Sequence, residues 1–263
     1  MCLSGIVEIA GALSVARGAR CNQTLPARWR RNERGLEQYG GLRGMVSTQI
    51  VTAPSGSLAA QAHSTIRDLI VTLRLPPGAI IQEEVLSKTL GYGRTPIREA
   101  LIRLAQENLV TVAPRRGTFV SEINLTDLAQ ISEVRIQLEG FAAALAAQRI
   151  NEAERRVADT LLADLALLAA EHDPFNMIEL DKSVHFFVYR CAKNPLLEES
   201  LVRYFNLSLR IWHLALDRVT YLHSSVSEHR ELLQAVKAGA AKKAQQIAAQ
   251  HVKSFEAEIR KVI

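Results

Sequence analysis

From Leu125 onward, apolar residues recur every three or four positions with little strand-like alternation. That is the period of helices that each bury one face. The pattern predicts helices over 126–148, 151–171, 175–192, 195–221, 225–238 and 240–262, with breaks at Asn151, His172-Asp173-Pro174, Asn194-Pro195, Ser224-Ser225 and Gly239. Short connections make neighbours antiparallel, so a compact helical bundle is expected. The stretch before it reads differently. Leu58 to Leu73 is helical, with Ile66, Leu69, Ile70 and Leu73 apolar, and Arg74-Leu75-Pro76-Pro77-Gly78 stops it. Ile80-Ile81-Gln82 is short and β-like. Glu83 to Leu90 forms a second helix, its acids placed in the first turn where the helix dipole favours them.

Leu90-Gly91-Tyr92-Gly93 is a turn signal, because glycine permits positive φ. Thr95 is the expected cap of a third helix that Pro96 opens. Ile97, Ala100, Leu101 and Leu104 should face a core, leaving Arg94, Arg98 and Arg103 largely outside that stripe. Val110-Thr111-Val112 and Thr118-Phe119-Val120 then flank Ala113-Pro114-Arg115-Arg116-Gly117, a hairpin with two arginines at its tip. Helix, helix, turn, helix and hairpin make a winged helix-turn-helix. The expected fold is therefore mainly α: an extension over 1–57, a winged helix-turn-helix over 58–123, and an all-α bundle over 124–263.

Charge changes this picture little. Seven basic residues stand against three acidic ones before residue 58, eight against six over 58–123, and seventeen against eighteen thereafter. The excess of base is mostly in the extension, so the placement of arginine, not net charge, carries the case for nucleic acid. The extension is rich in Arg, Gly and Ser and lacks sustained periodicity. It is expected to be disordered or to reflect a mis-assigned start, with Met45 the candidate start. The apolar run from Ser4 to Arg17 is too short and interrupted to span a membrane, and Glu8 breaks a signal-peptide core. Cys2, Cys21 and Cys191 form no CxxC pair, which favours a reducing cytoplasm.

The run LRLPPGAIIQEEVLSKTLGYGRTPIREALIRLAQENLVTVAPRRGTFV resembles the DNA-binding domain of GntR-family transcription regulators. Tyr92-Gly93 stand where the family usually has Val-Ser, which removes a hydroxyl available to phosphate. The Arg-Thr-Pro-x-Arg-Glu-Ala-Leu run survives at Arg94 to Leu101. The resemblance implies that Arg94, Thr95 and Arg98 contact bases or phosphates. It further implies that Arg103 and Arg116 hold backbone beside Arg115, and that Gly117 lets the wing approach closely. A solvated helix face with ordinary charge pairing is the plainer alternative.

In the bundle, polar residues interrupt the apolar seams. Asp181 and His185 are four apart and so share a helix face with Ile178, Val184 and Val188. His229 shares a stripe with Val226, Leu233 and Val236, and His251 lies among Ile247, Ala248, Val252 and Phe255. An isolated buried carboxylate is costly. A divalent metal would satisfy all four groups; zinc leads, and nickel, iron or manganese also suit these donors. Separate core histidines, each bonded to a carbonyl, are the competing reading. His172, His213 and His223 are taken as non-ligands. Arg135 falls in the seam of Leu128, Ile131, Leu138, Ala142 and Leu145, either paired with Glu139 or gripping an acidic metabolite together with the metal.

These positions resemble the FCD-type effector domain of the FadR-like branch of the GntR family. The resemblance implies that Asp181, His185, His229 and His251 bind metal, that Arg135 on the first bundle helix contacts the effector, and that Asn194 is a further contact. The expected function is a ligand-responsive transcription regulator, a repressor, working as a cytoplasmic homodimer on palindromic operator DNA and sensing a small carboxylate. The rivals are a metal-dependent hydrolase and a constitutive DNA-binding dimer without effector. No HExxH or GxSxG supports the first.

Overall fold

The computed structural model describes residues 56–171, 174–215 and 222–262. Helix α1 (Leu58–Val71) buries Ala62, Ile66, Leu69 and Ile70, and just past its end Leu73 turns left-handed at φ 57°. The Leu75 N–H then bonds back to the Leu69 carbonyl at 2.9 Å. Strand β1 (Ile80–Ile81) leads into α2 (Glu83–Leu90) and α3 (Arg94–Gln106). Strands β2 (Val110–Ala113) and β3 (Gly117–Val120) form the wing. The sheet order is β1-β3-β2, and β2 and β3 are antiparallel, with Val110 opposite Val120 and Ala113 opposite Gly117.

The turn between α2 and α3 uses its glycines unequally. Gly91 is left-handed at φ 74° and its N–H caps α2 on the Ser87 carbonyl. Gly93 has no positive φ; its carbonyl accepts the Ile97 N–H at 3.3 Å, so α3 begins at Arg94. Thr95 and Pro96 therefore lie inside the first turn, and the expected Thr95 cap is replaced by Gly93. Tyr92 ties the turn down from both ends. Its carbonyl accepts the Ser87 hydroxyl at 2.6 Å, and its phenol reaches Thr65 of α1 at 3.5 Å.

The helical bundle comprises α4 (Leu125–Arg149), α5 (Glu152–Glu171), α6 (Pro174–Cys191), α7 (Pro195–Ala215), α8 (Leu222–Lys237) and α9 (Ala241–Val262). Its predicted breaks become caps. Asn151 Oδ1 accepts the Glu154 N–H at 2.9 Å, and the Glu154 carboxylate accepts the Asn151 N–H at 2.8 Å, a reciprocal capping box that starts α5. Asn194 Oδ1 accepts the Leu197 N–H and starts α7. Gly239, at φ 73°, sits between α8 and α9. The break predicted at Ser224-Ser225 is not one: both serines lie inside α8, which is helical from Leu222, and residues 216–221 lie outside the described residues.

Helix α4 is the axis of the bundle and packs most extensively against α9, with α6, α7 and α8 also in contact. Small residues make this possible: Ala143, Ala146 and Ala147 of α4 share a core with Ala244 and Ala248 of α9. At Gly140 the approach is closest, since a Cβ there would lie 3.2 Å from the Gln245 carbonyl oxygen and 3.7 Å from the Ala249 methyl. Gly140→Leu is therefore expected to lower stability by about 1–3 kcal/mol through overpacking. Gly140→Ala should cost far less, because helix propensity recovers up to ~1 kcal/mol. Thermal unfolding of both variants checks this, and equal melting temperatures for the two would disprove a close helix contact.

Candidate metal centre and nucleic-acid interface

Asp181 and His185 stand one turn apart on α6, His229 on α8 and His251 on α9; all four are buried, and one potential ligand atom from each lies within 4.8 Å of the others. The three imidazoles converge through the same ring nitrogen. His185 Nε2 is 3.2 Å from His251 Nε2 and 3.3 Å from His229 Nε2. Asp181 Oδ1 lies 3.2 Å from His229 Nε2, 3.8 Å from His185 Nε2 and 4.0 Å from His251 Nε2.

What stands behind each ring sets its tautomer. His185 Nδ1 lies 2.8 Å from Glu139 Oε2 and 3.3 Å from the Tyr189 hydroxyl. His251 Nδ1 lies 2.8 Å from Glu228 Oε2, and His229 Nδ1 lies 3.3 Å from Ser225 Oγ. An oxygen acceptor behind each ring assigns the proton to Nδ1 and leaves the Nε2 lone pair facing inward. Three lone pairs and a carboxylate then point at one spot. Asp181 Oδ1 is close to His229 Nε2 yet receives no hydrogen bond, as expected when that nitrogen carries no proton.

A cation would resolve this arrangement. Ligands held ~2.0–2.1 Å from a tetrahedral zinc lie roughly 3.3–3.4 Å apart, close to the spacings of His185 Nε2 from His251 Nε2 and His229 Nε2. Three neutral imidazole nitrogens and one carboxylate oxygen also suit nickel, iron or manganese. Among the described residues the four form one group, and His213 stands outside it on α7. Burial, reinforced by Lys182, pushes the His213 imidazole down to about 4, and its Nε2 has no partner. The His172 and His223 side chains lie outside the described residues.

The electrostatics without a cation are unfavourable in a specific way. Burial raises the Asp181 carboxyl to about 7, although His251 and Arg135 pull it down. Burial, with His251 and His185 alongside, holds His229 well below its ordinary value. Burial would also raise Glu139, but Arg135 and His185 more than offset it and hold that carboxyl well below the usual range.

Arg135 reaches the site through Glu139. Its Nε donates to Glu139 Oε1 at 2.6 Å, while the other carboxylate oxygen faces His185 Nδ1. The guanidinium also lies over the rings of Phe205 and Phe255, at 5.3 and 5.9 Å from their centroids. Of the two readings open for Arg135, pairing with Glu139 is the one present. The recorded bond of Asn194 is the α7 cap. A cavity of about 10 Å³, the size of one water molecule, opens beside Asp181 and His229.

Sequence reasoning placed Glu139 only as a partner for Arg135 and passed over Glu228, Ser225 and Tyr189. A signal existed for two of these: Ser225 is four before His229 and Tyr189 four after His185, on the same helix faces. Glu228 crosses from α8 to α9, which no local spacing reveals.

In the winged helix, Arg94, Thr95 and Arg98 on α3, Arg103 near its end, and Arg115, Arg116 and Gly117 at the wing are all exposed. Arg98 Nε donates to Glu83 at 2.6 Å and Arg94 lies 3.9 Å from Glu84, so both arginines lean on the first turn of α2. Arg115 is left-handed at φ 63° and Gly117 at φ 113°, which folds the wing tip tightly. No helix among the described residues is long and apolar enough to cross a membrane.

An exposed basic helix and wing, followed by a helical bundle built around a buried cluster of one carboxylate and three imidazoles, define a DNA-binding transcription regulator with a C-terminal helical domain. Residues 58–120 match the bacterial regulatory proteins of the gntR family and residues 130–254 match the FCD domain. The chain belongs to the GntR family, in its FadR-like subfamily with a C-terminal FCD domain. It is similar to the HTH-type transcriptional regulator McbR of Escherichia coli, 29% identical over 145 residues, which cover 55% of this chain and 66% of McbR. It is also 23% identical over 217 residues to the E. coli HTH-type transcriptional repressor RspR, covering 82% of this chain and 94% of RspR. The solved structure of E. coli McbR/YncC shares the fold, with a TM-score of 0.70 and 24% identity over 78% of this chain and 98% of that one. These relatives are transcription regulators, not enzymes.

Two outcomes follow from the site. The metal-free folded protein keeps the Asp181 proton between 3.8, where the unfolded chain releases it, and about 7. The stability this supplies is full below the lower value and lost as pH rises through the upper one. His229, lowered by folding, removes stability as pH falls below 6.5. Chelator-treated Asp181→Asn should therefore gain in melting temperature over the parent protein at pH 8 but not at pH 4. A constant difference across that range would contradict the assignment. Glu139→Ala strands a buried guanidinium and frees His185, so a loss of about 3–5 kcal/mol in urea unfolding is expected. Metal affinity should fall by roughly 10–100-fold.

Proposed function

We propose that this chain is a metal-containing, ligand-responsive repressor that acts as a homodimer on palindromic operator DNA in the cytoplasm. The observation that carries the sensor half is the convergence of three Nε2 lone pairs and the Asp181 carboxylate, each imidazole backed by an oxygen. Asp181, His185, His229 and His251 would hold the metal, which would supply Lewis acidity toward the oxygens of a small carboxylate. Asp181 adds the negative charge that three neutral rings lack. Glu139 and Glu228 hold two of the rings in register, and Arg135 keeps Glu139 ionised.

The reading half rests on exposed arginines. Arg94, Thr95 and Arg98 enter the major groove, while Arg103, Arg115 and Arg116 hold backbone and Gly117 lets the wing come close. Contact with phosphate replaces the Glu83 and Glu84 pairs that engage Arg98 and Arg94. One short helix reads few base pairs, so two copies related by a twofold axis are needed for specificity, and their operator is palindromic. Repression follows the name of RspR. A carboxylate at the metal changes operator affinity by favouring one bundle state, a coupling commonly worth about 1–3 kcal/mol.

The test pairs two variants with two readouts: operator affinity by fluorescence anisotropy and metal content by elemental analysis. Arg98→Ala should weaken operator binding by about 1–3 kcal/mol and leave metal content unchanged. His229→Ala should lose most of its metal. Full metal in His229→Ala would remove the ligand set, and unchanged affinity in Arg98→Ala would remove the recognition helix.

A further inference from the structure

Helix α3 turns one large apolar side chain outward. Ile97, Ala100, Leu101 and Leu104 are buried on its inner face, whereas Thr95, Arg98, Glu99, Ile102 and Gln106 are exposed on the outer one. Ile102 is the apolar member of that outer set and is 60% exposed. An exposed isoleucine at an arbitrary surface position means little. This position is not arbitrary. Ile102 lies one turn beyond Arg98 and two turns beyond Thr95, so the three share one stripe of the helix. The polar members of the stripe are satisfied by water, but Ile102 leaves apolar surface in it, and only burial against a partner recovers that cost.

We infer that Ile102 is a specificity residue for the operator: in the major groove it packs on the C5 methyl of a thymine and so selects a T·A pair at one fixed position of each half-site. This rests on the operator-reading proposal above. Of the four bases, thymine alone presents a methyl group in that groove, and the other base edges are read there through hydrogen-bond donors and acceptors. An isoleucine set against those edges would strip water from them and return no hydrogen bond. The place of the thymine is constrained as well. Four helical residues advance about 6 Å along α3 and stacked base pairs advance about 3.4 Å, so the thymine lies within roughly two base pairs of the pair that faces Arg98. Arg98 and Ile102 then read different chemistry on neighbouring pairs, one through charge and hydrogen bonds, the other through a methyl group.

The experiment selects duplexes from a random pool with the full-length protein. Each thymine of the enriched half-site is then replaced in turn by deoxyuridine, which removes only the methyl group, and affinity is measured by fluorescence anisotropy at one fixed salt concentration. One thymine per half-site should show a penalty of about fourfold, the worth of one buried methyl group. In Ile102→Ala, which removes no core packing, the same replacement should cost less than twofold. A half-site in which no thymine shows a penalty overturns the inference while operator reading stands. So does a penalty of undiminished size in Ile102→Ala. Failure to enrich any sequence overturns operator reading itself, and this inference with it. The deoxyuridine series on the unmodified chain does not depend on how the variant folds.

Discussion

Burying ionisable groups in a helical core is tolerable only when their charges and lone pairs are answered, and the whole bundle is arranged around that requirement. Asp181, three imidazoles, Glu139 and Arg135 all lie at 5% exposure or less. Left unanswered, such a set would cost several kcal/mol for each ion. The answers come in layers. Arg135 offsets Glu139, Glu139 and Glu228 orient two rings, Ser225 backs the third, and the inward-facing nitrogens share a spot suited to a cation. The network draws its members from α4, α6, α8 and α9, so it fixes the mutual placement of these helices more narrowly than apolar packing alone does.

The winged helix follows the opposite logic. Its core is ordinary: Ile66, Ile97, Leu104 and Leu109 are almost wholly buried, and the charges are left on the outside. Exposed pairs such as Arg98 with Glu83 contribute little to stability, because solvent screens them and long side chains lose freedom. That weakness is useful. On the proposed DNA-binding reading, arginines held only by screened pairs are preorganised but would be readily surrendered to phosphate, which would return a charge-assisted, bidentate contact.

Helix periodicity made the architecture legible, because burial of one face leaves its mark every three or four residues. Asn151 and Asn194 were visible as breaks since their side chains are the caps. Asp181 with His185 was visible because a separation of four puts two side chains on one face. Conflicts with the pattern were equally informative: a histidine in an apolar stripe, as at His229 and His251, announces that something must satisfy it. Three features lay beyond such reasoning. The start of α3 depends on which carbonyl, that of Gly93, accepts the Ile97 N–H, a choice Thr95 and Pro96 do not dictate. The contact of Glu228 with His251 joins two helices, and the indole of Trp212 without an acceptor becomes apparent only once its surroundings are packed.

The order of the ligands along the chain has a wider consequence. Asp181, His229 and His251 are far apart in sequence and meet only in the folded bundle. An ion joining them would close long loops much as a covalent cross-link does, but reversibly and in proportion to its free concentration. A cell short of metal would then carry a looser bundle, with more frequent opening and faster attack by proteases. With a metal bound there, the abundance of the regulator would become a record of metal supply.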